Sequence, residues 1–344
     1  LAVEGLPVEP IYGDLRDVDS VRRAVAGTTR VFHCAAQVST QYGTAKLKRD
    51  IFDSNILGTA HLLQAALEQG VKRVVVTGSF SATGYNPDRP SEPAREDQPV
   101  FPFDRALPYE ISKAYVEQEA LKAYANGLDV VVATSCAIIG PHDYKPSRMG
   151  KTLCDFAQGR MPAYIPGGFE FVAARDIVAG HRLAMQKGRS GQKYVFSTAY
   201  VTVDMLMDDF ESVTGHRKPL LRLPRGVMQV FAEIGAPVVD RIPSLNPRLT
   251  PGAVRILGLQ RRADISKARE ELGYRPTRLR DAIQEAYDDF ARRGILPRRN
   301  PSHPSPSCAN AAQAPAENRS MPVQSNGKID APAARESSTA RGPY

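Results

Sequence analysis

Apolar residues in this chain alternate between short continuous runs and longer stretches where they recur every three or four positions. RVFHCAA (30–36), KRVVVT (72–77) and LDVVVATSCAII (128–139) are the continuous runs. Apolar runs of this length with no polar alternation predict strands covered on both faces, as in a parallel sheet. VEPIYGD (8–14) predicts a further short strand that ends at Gly-Asp. Residues 53–69 set Ile56, Ala60, Leu63 and Leu67 at helical spacing, and Gly70 at the C′ position stops that helix. A polar helix is predicted from Val18 to Ala26 and a second from about Tyr109 to Asn126, after a Pro-rich loop over 86–108. Strand and helix in strict alternation predict an α/β fold, a doubly wound parallel sheet.

Beyond Gly140-Pro141 the pattern loosens, and helices alternate with Pro- and Gly-punctuated connections to about residue 296. One domain is expected over 1–140 plus about 171–200, and a smaller lobe over 141–170 plus 201–296. Residues 297–344 turn to Pro, Ser, Ala and Asn, a composition that predicts a disordered tail. At 344 residues and 42% hydrophobic, the chain is long enough for a substantial core. No apolar run approaches the roughly 18 residues of a membrane span. The four Cys (Cys34, Cys136, Cys154, Cys308) show no zinc or C-x-x-C spacing, so no metal site is expected. Cys34 and Cys136 fall inside apolar runs, which predicts buried thiols in a reducing compartment, the cytoplasm. The net charge of +8 comes largely from scattered Arg, as in HRKPLLRLPR (216–225) and QRR (260–262). Without aromatic interleaving or a recognition module, this reads as a solvated surface, and no nucleic-acid partner is expected.

The chemistry concentrates in two segments. In PYEISKAY (108–115), Tyr109 and Lys113 are four apart and share one helix face. A phenol with an ordinary pKa near 10 works poorly at neutral pH, and a nearby ammonium favours its ionised form. The second segment is VKRVVVTGSFSATGY (71–85). It looks like a dinucleotide loop, but Gly78 and Gly84 are six apart, and the NPDRPSEPARED that follows carries three Pro. No helix can open there, so this is not a phosphate cradle. It is the end of a buried strand, where parallel sheets bind ligands, and it presents Ser79 to a substrate carbonyl, with Ser81 as the fallback. Asn55, opening the helix of NILGTAHLL, is placed to anchor a water or a backbone carbonyl beside Lys113, or simply to cap the helix.

Ser79, Tyr109-x-x-Ser112-Lys113, GDLRD (13–17), VFHCAA (31–36), NILGT (55–59), IIGP (138–141) and DISKAREELGYRP (264–276) occur together and in order. In that combination the chain resembles the extended short-chain dehydrogenase/reductases, the NAD-dependent epimerase/dehydratase superfamily, across residues 1–296. The segment at 140–168 is most similar to dihydroflavonol-reductase-like and hopanoid-associated sugar-epimerase-like members. The resemblance implies a Rossmann fold, NAD or NADP as cofactor, and Ser79, Tyr109, Lys113 and Asn55 as the catalytic set. It further implies that Asp14 and Leu15 contact the adenine, and that Cys34, Ala35 and Ala36 line the adenosine side. Lys113 would hold the nicotinamide ribose, with Tyr109, Thr77, Ser135 and Ile138 completing the cofactor site. Most relatives carry Pro where this chain has Ser135. Such proteins commonly form homodimers through helices beside the active site.

Members of this superfamily begin with a strand and a T-G-x-x-G-x-x-G turn that binds the pyrophosphate on a helix N-terminus. LAVEGLPVEPIYGD matches the region before their third strand, so a preceding βαβ segment of about 35 to 40 residues is expected in the working enzyme. Three activities fit the pattern: ketone reduction, nucleotide-sugar epimerisation, and a non-catalytic NAD(P)-binding role. Sugar-nucleotide relatives often carry an Arg-Asp pair where this chain has Phe169-Glu170, a pair poorly suited to a diphosphate. Phe80 after Ser79 likewise argues against dehydratase chemistry. The sequence reading therefore favours NAD(P)H-dependent reduction of a fairly apolar small-molecule ketone.

Overall fold

The computed structural model describes residues 3–85, 89, 92–98, 106–224 and 250–297. The expected tail from residue 298 and most of the Pro-rich loop lie outside them. In chain order the first half contains α1 (Val18–Val25), β1 (Arg30–His33), α2 (Ala45–Phe52), a π-helical turn (Asp53–Leu57) and α3 (Gly58–Glu68). It continues with β2 (Arg73–Ser79), a 3-10 turn (Phe80–Ala82), α4 (Pro108–Ala125), β3 (Val130–Ser135) and β4 (Ala137–Ile139). The second half contains α5 (Arg148–Ala157), β5 (Ala163–Tyr164), β6 (Gly168–Ala173), α6 (Ala174–Lys187), β7 (Lys193–Phe196) and β8 (Ala199–Thr202). It closes with α7 (Val203–Thr214), β9 (Leu221–Arg222), α8 (Pro251–Leu259), α9 (Ser266–Leu272) and α10 (Leu279–Arg292).

Four strands form a parallel sheet in the order β1-β2-β3-β7. Its alternating valines show why the apolar runs had to be continuous. Val74, Val76, Val130 and Val132 pack with α1, α3 and α4 through Val21, Leu63, Ala66, Val116 and Ala120. Val75, Val131, Ala133 and Val195 face the other way, onto Ile177, Ala184 and Met185 of α6 and Ala268 and Leu272 of α9. Each fully buried valine contributes about 1.5–3 kcal/mol by leaving water. This is the doubly wound α/β architecture expected from the runs. A separate apolar cluster, with Leu153, Phe156, Phe171, Met207, Phe210, Ile283 and Phe290, joins α5, β6, α7 and α10. All described residues belong to one compact unit.

Four local expectations need correction. The stretch 8–14 forms no strand: among the described residues none pairs with it, and Val8, Ile11 and Tyr12 are exposed. A strand needs a neighbour's backbone groups, which the local pattern cannot supply. The helix expected over 53–69 begins at Ala45 and passes through the wide π turn before α3. Its buried stripe is turned toward Leu62, Leu63 and Ala66, leaving Ile56 and Ala60 half-buried. Gly70 does adopt the left-handed conformation, with φ of 70°. The run 128–139 breaks at Cys136: β3 stays in the main sheet, whereas β4 pairs with β6 in a second, three-stranded sheet. Finally, Cys136 is buried but Cys34 is exposed, because β1 ends at His33 and the thiol lies past the strand's carboxyl end.

Candidate active site

Strand register assembles the site. Ser79 is level with Ser135 and Val76 with His33, so the carboxyl ends of β1, β2 and β3 lie together along one edge of the sheet. α4 begins against this edge. Pro108 fits the first helical turn, where no backbone donor is needed, and Glu110 Oε2 accepts the Leu107 N–H at 2.7 Å. That turn carries Tyr109, and Lys113 follows one turn later.

Ser79, at the carboxyl end of β2, lies close enough to the Tyr109 phenol to pull its pKa down. Ser79 Oγ also pairs with Ser81 Oγ at 2.7 Å and accepts the Ser81 N–H at 3.3 Å. The two serines therefore form one polar unit, and Ser79 is the member that acts on Tyr109. Burial pushes the phenol's pKa up, with a smaller upward push from the Glu110 carboxylate, while Ser79 pulls it down. At neutral pH the phenol keeps its proton, the state needed to protonate a carbonyl oxygen. Lys113 is 4% exposed, and its Nζ donates to the Thr77 carbonyl at 2.7 Å. Burial lowers its pKa to about 8, against the opposing influence of Cys34 and Glu117. Sequence reasoning expected the ammonium to act on the phenol; the contact the structure records runs to the strand end.

Asn55 lies inside the π turn rather than at a helix start, and it is 1% exposed. Its Oδ1 accepts the Gln37 N–H at 2.7 Å, and its Nδ2 donates to Gln37 O at 3.0 Å and to Ser112 Oγ at 2.9 Å. Ser112 Oγ in turn donates to Tyr109 O at 2.8 Å. One amide thus joins the loop after β1 to the helix that carries Tyr109 and Lys113. Thr59 Oγ1 donates to Asn55 O at 2.5 Å, so the hydrogen in the 2.8 Å contact between Thr59 Oγ1 and His33 Nε2 comes from the imidazole. His33 is buried, its pKa lowered to about 4 chiefly by that burial.

The remaining expected cofactor residues fall around this edge. Cys34 and Ala35 are exposed and Ala36 half-buried just past the end of β1. The Cys34 thiol is drawn down in pKa by hydrogen bonding to His181, against burial, with a further contribution from Thr77. Thr77 Oγ1 meets His181 Nε2 at 2.8 Å, and His181 Nδ1 donates to Ile177 O at 2.8 Å. Asp14 is clasped by Arg16 at 2.6 Å, which holds its pKa at about 2. Leu15 packs at the foot of α3, where a side chain on Gly58 would meet it at 2.7 Å. Ser135 turns its hydroxyl onto Cys136 O at 2.9 Å, and Ile138 is exposed on β4. The Phe169-Glu170 pair, read as ill-suited to a diphosphate, has its acid turned inward. Glu170 is 6% exposed and bonds Ser197 Oγ and the Ala263 N–H, so it braces the interior and faces no anion.

Sequence reasoning missed His181 and Gln37, whose roles depend on contacts between residues 104 and 18 positions apart. It also missed Arg255 and Arg261. Arg261 falls in QRR (260–262), read as solvated surface, and Arg255 lies outside the Arg-rich stretches. Among the described residues, no group of three or more His, Cys, Asp or Glu could hold a metal ion, and no helix is long and apolar enough to cross a membrane.

The arrangement fits the nicotinamide-ribose end of a dinucleotide: a buried ammonium bonded to the end of β2, small side chains past β1, and a serine hydroxyl close to a protonated phenol. Comparison with known proteins agrees. The family model for the NAD dependent epimerase/dehydratase family matches residues 3–197. The chain is 41% identical over 296 residues to sterol demethylase protein B of Methylococcus capsulatus, covering 86% of this chain and 88% of that one. It is 30% identical to a putative dihydroflavonol 4-reductase of Synechocystis, covering 86% and 85%. Among solved structures it superposes on gox2253 with a TM-score of 0.72 at 29% identity, covering 86% of this chain and 88% of that one. Rossmann fold, Ser-Tyr-Lys constellation and family match converge: the chain belongs to the NAD-dependent epimerase/dehydratase family, whose members are NAD(P)-dependent oxidoreductases.

Proposed function

We propose that this protein reduces the carbonyl of a fairly apolar small molecule to an alcohol, using NADH or NADPH. The observation that carries the reading is the juxtaposition of Ser79, at the carboxyl end of β2, with the Tyr109 phenol and the buried Lys113 one turn further along α4, the phenol kept protonated by burial. Ser79 orients the carbonyl oxygen, and Tyr109 delivers a proton to it. Lys113, Asp14, Leu15, Cys34, Ala35, Ala36, Thr77, Ser135 and Ile138 are the residues proposed to hold the cofactor. When bound, the dihydronicotinamide supplies the hydride. Asn55 keeps the helix of Tyr109 and Lys113 in register with the loop after β1.

An apolar substrate is supported by the names of relatives: the sterol demethylase protein B above, and a farnesyl-dihydroquinoline-oxide ketoreductase of Stigmatella aurantiaca at 27% identity. The test is cofactor stoichiometry across panels of apolar ketones and sugar nucleotides. One NAD(P)H consumed per alcohol formed supports reduction. Isomerisation of a sugar nucleotide with no net cofactor consumption would replace it with epimerisation.

A further inference from the structure

The catalytic elements come from the first third of the chain, yet one distant segment touches all of them. α8 and the turn after it reach the loop beyond β1, the N-terminus of α4 and the serine shelf. Thr250 Oγ1, capping α8, donates to Thr40 O at 3.0 Å. A side chain on Gly252 would lie 2.5 Å from Thr40 O and 2.9 Å from Leu107, so α8 sits close against both. Arg255 Nη2 donates to Glu110 Oε2 at 2.5 Å, in an ion pair whose side chains are 16% and 3% exposed. Glu110 adjoins Tyr109 and, through the same oxygen, holds Leu107 N. Arg261 is 8% exposed and donates to the carbonyls of Thr83 and Gly84. Its guanidinium lies over the Phe80 ring at 4.7 Å and the Tyr85 ring at 5.1 Å.

We propose that Arg255 and Arg261 are positioning residues for the reaction: Arg261 fixes the shelf that presents Ser79, and Arg255 anchors and neutralises Glu110 beside Tyr109. The proposal rests on the reading of Ser79, Tyr109 and Lys113 given above. A guanidinium suits both tasks, since its planar fork bonds adjacent carbonyls while its face covers an aromatic ring. Residues 80–85 form a single 3-10 turn, one isolated bridge residue at Thr83 and irregular backbone, so their path depends on outside partners. Arg261 supplies two of these. Without Arg255, the Glu110 carboxylate would remain buried beside the phenol and its push on Tyr109 would grow. Among the described residues, the charged and titratable groups around this site are Glu110, Lys113 and Glu117 on α4, Arg255 and Arg261 from the α8 segment, Tyr85 on the shelf, Cys136 after β3, and Cys34 and His181 past the strand ends.

The test measures ketone-reduction kinetics against pH for Arg255→Met, Arg255→Lys, Arg261→Met, Arg261→Lys and Arg255→Met with Glu110→Gln. Both Met variants should lose about 10- to 100-fold in kcat, the scale of a misplaced reacting group, with the cofactor KM nearly unchanged. The Lys variants should recover most of that loss. In Arg255→Met the pH limb assigned to Tyr109 should move to higher pH, and adding Glu110→Gln should move it back. Gln still accepts from Leu107 N, so the helix start survives. A limb that stays put, or kcat and cofactor KM that fall together with folding, would reduce the arginines to fold supports. If the Met variants do not fold, the Lys variants decide: wild-type folding with kcat restored supports the proposal, and wild-type folding with kcat still lost overturns it. Tyr109→Phe separates the two levels. Its unchanged turnover would overturn the site reading, whereas an inactive Tyr109→Phe beside unaffected arginine variants would overturn the clamp alone.

Discussion

Replacing Asn55 by Ala removes one buried amide and three hydrogen bonds at once: 2.7 Å from Gln37 N, 3.0 Å to Gln37 O and 2.9 Å to Ser112 Oγ. A typical protein hydrogen bond contributes about 1 kcal/mol net, and a partner left buried and unpaired costs about 1–3 kcal/mol. Ser112 is fully buried but keeps its bond to Tyr109 O, so it loses an acceptor role only. Gln37 is half-buried and partly recovers water. The expected destabilisation is therefore about 3 kcal/mol, read from urea unfolding followed by circular dichroism. At about 2–4 °C per kcal/mol, Tm should fall by about 6–12 °C. Asn55→Asp keeps the volume but turns the donor toward Gln37 O and Ser112 into a second acceptor, and it should cost more at neutral pH. A loss under about 1 kcal/mol for Asn55→Ala, or an Asn55→Asp as stable as wild type, would refute the idea that this amide ties the two walls together.

Lys113 has a pKa lowered to about 8 in the folded chain, so between pH 8 and 10.5 the unfolded chain binds more protons and stability should rise with pH. Lys113→Met should remove that rise in paired denaturation curves. His33, lowered to about 4, is the acid-side counterpart: stability present above pH 6.5 should drain away as pH falls toward 4, and His33→Gln should flatten that slope. Gly252→Ala should force α8 off Thr40 and Leu107, costing about 1–3 kcal/mol and lowering kcat more than cofactor affinity, as separate denaturation and kinetic measurements would show.

Legibility followed range. The parallel sheet was readable because Val74–Val76 and Val130–Val132 are apolar on both faces, a local signal of burial from two sides. The shelf at Ser79 was readable because glycine spacing and three prolines exclude a helix there. The stretch 8–14 was not, since strand formation depends on a partner and its apolar residues carry no record of one. The break at Cys136 was invisible because β4 leaves one sheet for another without any change in hydrophobicity. Asn55 illustrates both sides. An anchor to a backbone carbonyl was one of the roles open to it, but the π turn from which it bonds Gln37 and Ser112 left no local signal. Glu170 was read only as ill-suited to a diphosphate, and its actual partners Ser197 and Ala263 were not legible because they come from distant segments. Arg255 and Arg261 were hidden for the same reason, among arginines that do face water.

The central claim is that Tyr109 gives its proton to a carbonyl oxygen. Its most direct measurement is single-turnover reduction of an apolar ketone by the NAD(P)H-loaded protein, comparing wild type with Tyr109→Phe. The account predicts that the chemical step slows by ~10²–10⁴-fold while cofactor binding changes little. A Tyr109→Phe protein that reduces the ketone at the wild-type rate would contradict it.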